Sequence, residues 1–141
     1  MNSSNKKNAF QKTLQSYRST EILTASKESV LILLYEGGIR FLKQAIEAVE
    51  RKDTTEKARL IGRVQDIVNE LQATLNHKEG GDLAASLNAL YLFISDRLIA
   101  GNQDNDAEKL QEALAIFTTL LEAWRQALAS LKTQTKIEQT R

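Results

Sequence analysis

The feature that most constrains the fold of this chain is the absence of proline from all 141 residues. Helix interiors exclude proline, whereas sheet proteins commonly use it at turns and strand edges. The chain is also rich in leucine, alanine, glutamate, glutamine and lysine, which are strong helix formers. We therefore predict an all-α protein.

The spacing of apolar residues predicts four long helices. Asp53 is a good N-cap, and Glu56 three residues later completes a capping box. The pair Gly80 and Gly81 predicts a helix end, with Asp82 capping the helix that follows. Short connections between long helices predict an antiparallel up-down four-helix bundle. The predicted helices run from about Ser26 to Arg51, from Asp53 to Lys78, from Asp82 to Ala100, and from Asp104 or Asn105 to Leu131. Gly101 and Asn102 are predicted to end the third helix. The residues of that helix predicted to face inward are Leu83, Leu87, Leu90, Ile94 and Leu98.

Charge and composition set two segments apart from this bundle. The first twenty residues hold four basic side chains and no acidic one. We predict that residues 1–21 form a mobile basic N-terminal arm or a short cap helix. Residues 22–131 should form the bundle, and residues 132–141 a frayed polar tail.

Two runs of six consecutive apolar residues exceed what a bundle helix can bury. They span residues 30–35 and residues 89–94. At about 100° per residue, six neighbours cover the whole circumference of a helix, so part of each run must face outward. Either the surplus side chains are covered by the arm or by a dimer contact, or they line grooves that receive a partner helix.

The sequence offers little chemistry for catalysis. His77 is the only histidine and there is no cysteine, so zinc and thiol mechanisms lack their residues. We predict no enzyme activity, no metal and no cofactor. The net charge of +1 gives no attraction to nucleic acid, and no apolar run approaches the ~18 residues of a membrane span. The N-terminus lacks an apolar signal core, and we expect a cytoplasmic protein.

Several short motifs occur in a fixed order along the chain. They are ILTAS at 22–26, LLYEGGIRFL at 33–42, GGDLA at 80–84, LNALY at 87–91, RLIAGN at 97–102 and AW at 123–124. Their order and spacing, from about Ala9 to Gln126, resemble those of the FliS family, the cytoplasmic export chaperones of flagellin. Lys27 stands where that family usually has proline, and Gly38 where it usually has alanine.

The resemblance implies a function in binding. It implies that apolar grooves hold the disordered C-terminal segment of flagellin, prevent its premature polymerisation and support delivery to the flagellar export gate. It also implies that the N-terminal arm occupies part of this surface when flagellin is absent. The alternative is a structural helical protein that forms homo-oligomers, such as a homodimer, through its surplus apolar faces. The expected partner-binding residues are Phe10, Val30, Leu33, Leu34, Tyr35, Asn88, Tyr91, Leu92, Arg97, Ile116 and Leu120.

Overall fold

The computed structural model describes residues 27–139, which form four α-helices joined by short connections. The helices are α1 (Lys27–Glu50), α2 (Thr54–Ala73), α3 (His77–Asp104) and α4 (Ala107–Gln139). The all-α four-helix fold is confirmed. The predicted arm, Phe10 and the Ser26 cap lie outside the described residues.

The chain divides into two compact units, and α1 and α4 each extend across the boundary between them. One unit is Leu34–Ala123. The other contains the described residues before Leu34 and those after Ala123. The bundle contacts described below all lie within the unit Leu34–Ala123.

Within the Leu34–Ala123 unit, α3 runs antiparallel to both α2 and α4. Residue numbers fall on α3 as they rise on α2, since Lys57 Nζ donates to the Asn102 carbonyl at 2.9 Å and Gln72 Nε2 to Asn88 Oδ1 at 3.2 Å. The same holds for α3 and α4, where Gly101 lies against Leu110 and Arg97 pairs with Glu112.

Aromatic side chains join three helices in the core of this unit. The hydroxyls of Tyr35 on α1 and Tyr91 on α3 share a hydrogen bond. The Tyr35 ring also packs edge-on against Phe117 of α4, with ring centroids 5.8 Å apart. These three are among the largest fully buried side chains. Burial, and then the adjacent Tyr35, raise the pKa of Tyr91, so the Tyr91 hydroxyl stays neutral at physiological pH.

A glycine in α1 permits the close approach of α4. A Cβ atom on Gly38 would lie 2.6 Å from Cε1 of Phe117, which is inside any tolerable contact. From the sequence, Gly38 is only a departure from the alanine that is usual in the resembled family. The structure gives it a packing reason, because the buried Phe117 ring fills the space that an alanine methyl group would need.

The N-cap of α2 is confirmed, but the predicted boundary between α2 and α3 is wrong. Asp53 Oδ1 accepts a hydrogen bond from the Glu56 amide at 3.1 Å, as the capping box predicted. The second helix ends at Ala73 rather than Lys78, because Asn76 supplies a second cap, accepting from the Glu79 amide at 3.1 Å. The predicted break at the glycine pair remains as a kink within α3 at Gly81, whose φ of 49° favours glycine.

The predicted end of α3 at Gly101 is also wrong. The helix continues to Asp104, and Asn105 takes the left-handed conformation after it. Gly101 is instead a contact glycine, since a Cβ atom there would lie 2.7 Å from Cδ2 of Leu110 in α4. Lys57 stabilises this helix end, where its buried ammonium donates to the Asn102 carbonyl and to Asn105 Oδ1.

The fourth helix extends beyond the predicted bundle. Asp106 Oδ1 accepts from the Glu108 amide at 3.0 Å at its start, one residue beyond the predicted caps. The helix continues through Gln139, and every side chain from 131 to 139 is exposed. Fraying of residues 132–141 in solution stays a prediction.

By length and composition, one helix of the described range could cross a membrane, namely α3. A single such helix is weak evidence, since core helices of bundles pass the same test. The contacts of α3 are those of a helix in a bundle, because it hydrogen-bonds to α2 and forms an ion pair with α4.

Candidate partner-binding groove

The buried stripe of α3 differs from the one that its sequence predicted. Leu83 and Leu90 were expected to face inward, but they are 64% and 36% exposed. Tyr91 takes an inward position instead, because its hydroxyl finds a buried partner in Tyr35. The buried residues of α3 are Ala84, Leu87, Tyr91, Ile94, Leu98 and Gly101, at spacings of three and four.

Displacing Leu90 from the core leaves apolar side chains on the side of α3 that faces α4. Leu90, Phe93 and Arg97 are spaced three and four residues apart, so they share one helix face. Arg97 reaches Glu112 on α4, with Nη1 to Oε2 at 3.3 Å, and this ion pair identifies the face. Phe93 is 44% exposed there.

The ion pair also fixes which residues of α4 lie level with these side chains. Ile116 and Leu120 follow Glu112 by one and two turns, on the same face of α4. Because the helices are antiparallel, Phe93 lies level with Ile116, and Leu90 lies near the level of Leu120. Both α4 side chains are half-buried. We call Leu90, Phe93, Ile116 and Leu120 the α3–α4 groove.

A charged cluster lies at one end of the α3–α4 groove. The Arg97 guanidinium donates from Nε and Nη2 to Asp96 and from Nη1 to Glu112. Its carbon lies 5.3 Å from the centroid of the Phe93 ring, in cation–π geometry. The hydrogen bond to Asp96, reinforced by the one to Glu112, raises the pKa of Arg97.

The side of α3 that faces α2 is polar. Gln65 Nε2 donates to Ser95 Oγ at 3.0 Å, and Gln72 Nε2 donates to Asn88 Oδ1 at 3.2 Å. Two apolar side chains on this side of α3 are nevertheless exposed to solvent. These are Leu92 at 56% and Ile99 at 57%.

The structure separates the eleven sequence-predicted site residues into groups. Ile116 and Leu120 line the α3–α4 groove, and Arg97 stands at its end. Asn88 and Leu92 lie on the α2 side of α3. Phe10 falls outside the described residues. The buried members are Val30, Leu34, Tyr35 and Tyr91.

Burial limits what this last group can contact directly. Leu34, Tyr35 and Tyr91 belong to the core of the Leu34–Ala123 unit. Val30, also buried, and Leu33, 41% exposed, belong to the other unit. Contact of any of these residues with a partner stays a prediction.

Sequence reasoning missed Leu90 and Phe93 as individual site residues. Both lie in the second six-residue run, but a run that covers the whole helix does not reveal which side faces the core. Sequence reasoning also did not single out Glu112, which pairs with Arg97 across the helices. Its signal is not local, since it depends on the alignment of α3 with α4.

Metal chemistry finds no support in the described part of the chain. Within residues 27–139, no group of three or more His, Cys, Asp and Glu side chains could hold a metal ion. His77 is exposed at the first position of α3. What this surface offers is apolar area beside fixed charges, which suits binding.

The sequence matches a known family over most of its length. The family described as "Flagellar protein FliS" matches residues 10–131. The chain belongs to the FliS family. Among curated relatives, the flagellar secretion chaperone FliS of Bacillus subtilis is 32% identical over 122 residues, which cover 86% of this chain and 90% of the relative.

Two further relatives of this FliS-family chain have the same kind of name. The flagellar secretion chaperone FliSB of Pseudomonas aeruginosa is 34% identical over 74% of this chain and 82% of the relative. The flagellar secretion chaperone FliS of Salmonella typhimurium is 29% identical over 74% of this chain and 78% of its own length. These are names of chaperones and denote no reaction.

Proposed function

We propose that this chain is an export chaperone that binds the disordered C-terminal segment of flagellin, and that the α3–α4 groove is a principal docking site. The family and the chaperone names of the relatives support the class of function. The observation that carries the choice of site is the level arrangement of exposed Leu90 and Phe93 on α3 with half-buried Ile116 and Leu120 on α4.

The groove suits an amphipathic helix formed by the client on binding. Apolar side chains stand on both sides of it, so a helix lying along it would bury one face against α3 and α4. The client is disordered when free, and ordering it costs about 2–5 kcal/mol, which burial of apolar surface must exceed. The buried aromatic core keeps the groove preformed, so the chaperone itself loses little entropy.

The remaining parts of the proposal concern export and the N-terminal arm, and they rest on the resemblance to the FliS family. A client held in the groove is prevented from polymerising in the cytoplasm until it reaches the flagellar export gate. The N-terminal arm, with Phe10, covers part of the chaperone's client-binding surface when the client is absent. The client must displace this arm in order to bind, and the free energy that this costs lowers the affinity and keeps binding reversible. Deletion of residues 1–20 should therefore tighten or speed client binding.

The test is calorimetric titration of the full chain with a peptide from the C-terminus of its own organism's flagellin. We expect one-to-one binding with a large negative heat-capacity change, the mark of apolar burial. Phe93→Asp should weaken binding by more than about tenfold, because a carboxylate would replace a central apolar contact.

A matched control separates the groove from the rest of α3. Ile99→Asp makes a similar apolar-to-acid change on the same helix, at a residue of comparable exposure on the α2 side. It should leave binding within about twofold of the parent value. Absence of binding by folded parent protein would refute the function, and equal losses in both variants would refute the choice of groove.

One observation favours the homo-oligomer alternative as a second candidate. Leu92 and Ile99 remain exposed on the α2 side of α3, outside the α3–α4 groove. A second copy of the chain could cover them. Sedimentation of the parent protein and of Ile99→Asp across a range of concentrations decides this, since only an oligomer using this face loses mass in the variant.

A further inference from the structure

Phe93 is an exposed aromatic residue whose position is nevertheless fixed by its neighbours. Its ring is 44% exposed, yet the guanidinium carbon of Arg97, one turn later on α3, lies 5.3 Å from the ring centroid. Exposed aromatic side chains otherwise change rotamer freely, and fixing one on binding costs affinity.

Arg97 is in turn fixed from two sides. Nε and Nη2 donate to Asp96, the preceding residue on α3, and Nη1 donates across to Glu112 on α4 at 3.3 Å. Each guanidinium nitrogen that donates is thus engaged with a carboxylate of the same chain. Arg97 is therefore poorly suited to offer a free charge to a client, although a role as a direct partner contact was expected for it.

We propose that Arg97 and Glu112 are positioning residues, which hold the Phe93 ring in its docking orientation before the client arrives. The inference rests on the proposed function. In it, an ion pair between two helices preorganises an apolar contact with the client. Glu112 pairs with Arg97, and we infer that it acts on Phe93 through Arg97.

Salt should therefore weaken a contact that is itself apolar. Both carboxylates are largely exposed, with Asp96 at 63% and Glu112 at 51% of their side-chain surface, so dissolved ions screen their attraction for Arg97. As screening increases, Arg97 leaves the ring more often and Phe93 must be ordered at the moment of binding. If apolar burial alone determined the affinity for the client, that affinity would rise with sodium chloride or stay unchanged.

The experiment compares Glu112→Gln with Glu108→Gln in titrations with the C-terminal flagellin peptide at low and high sodium chloride. Glu108 lies one turn earlier on α4 and is also exposed, and no ion pair of its side chain occurs in the described range. We expect Glu112→Gln to bind about three- to tenfold more weakly at low salt, the effect of leaving one side chain unordered. Its affinity should fall less steeply with salt than that of the parent, because only the attraction between Asp96 and Arg97 remains to be screened, whereas Glu108→Gln should behave as the parent does.

A double-mutant cycle shows whether Glu112 acts through the ring. In the Phe93→Ala background, Glu112→Gln should have no further effect on affinity, because the side chain that it helps to position is gone. An equal loss in both backgrounds would overturn the inference while leaving the proposed function intact. So would a Glu112→Gln variant that binds as the parent does.

A measurement without flagellin tests the tether itself. In the parent protein, the Arg97 side-chain protons should show ring-current shifts in nuclear magnetic resonance spectra, because the guanidinium lies over the Phe93 ring. Glu112→Gln should reduce these shifts, and 1 M sodium chloride should reduce them in the parent. Shifts that persist unchanged in the variant would overturn the inference even if flagellin binding is confirmed.

Discussion

Tyr91 and Phe93 stand two residues apart on the same helix, yet one belongs to the core and the other to the surface. Tyr91 is 1% exposed and shares a hydrogen bond with Tyr35, whereas Phe93 is 44% exposed beneath Arg97. Two residues on a helix differ by about 200° in direction, which is enough to separate opposite faces. A continuous apolar run thus packs into the core on one side and leaves apolar surface on the other, where we propose that the client binds.

The largest expected effect comes from truncating the core member of this pair. Tyr91→Ala should lower the free energy of unfolding by about 3–5 kcal/mol, because it leaves a cavity among fully buried side chains. Phe93→Ala should lower it by less than about 1 kcal/mol, since the ring is half in solvent. Urea denaturation of both variants measures the difference. Similar losses in the two would contradict the division of the run into core and surface.

A smaller loss of stability is expected at the close contact between Gly38 and Phe117. Gly38→Ala should destabilise the fold by about 1–2 kcal/mol, because the clash with Phe117 outweighs the gain in helix propensity. Gly62→Ala is the matched control, since a Cβ atom there meets nothing within 4 Å. It should stabilise the protein by up to about 1 kcal/mol. Thermal unfolding of both variants tests this, and a stabilising Gly38→Ala would mean that Phe117 can move aside.

These contrasts show how far the sequence alone could lead. Periodicity and capping residues predicted the helices, because those signals are local, and Asp53 caps α2 as expected. Gly101 was misread because its function depends on Leu110 of another helix, which packs against it. The α3–α4 groove was only partly predicted for the same reason. Ile116 and Leu120 could be named from the sequence, but the choice between Leu90 and Tyr91 depended on which side of α3 meets Tyr35.

The buried tyrosine hydroxyls give the smallest of these effects, through the dependence of stability on pH. Burial raises the pKa of Tyr91 above its ordinary value of 10.0, so the folded state keeps the proton that the unfolded state loses. The stabilising contribution is fully present below pH 10 and declines as pH rises above it. The decline approaches about 1.4 kcal/mol per pH unit for one group that ionises only when unfolded.

The matched variant for this titration is Tyr91→Phe, which keeps the ring in the core and removes only the hydroxyl. Lysines also titrate in this range, so the informative quantity is the difference between parent and variant in the slope of unfolding free energy from pH 9.5 to about 11. We expect the parent to lose stability more steeply than Tyr91→Phe. Phe93 is the matching surface residue and carries no ionisable group, so Phe93→Ala should show the same slope as the parent. Parallel curves for the parent and Tyr91→Phe would mean that Tyr91 ionises as readily when folded as when unfolded, and that the core opens to water at that hydroxyl.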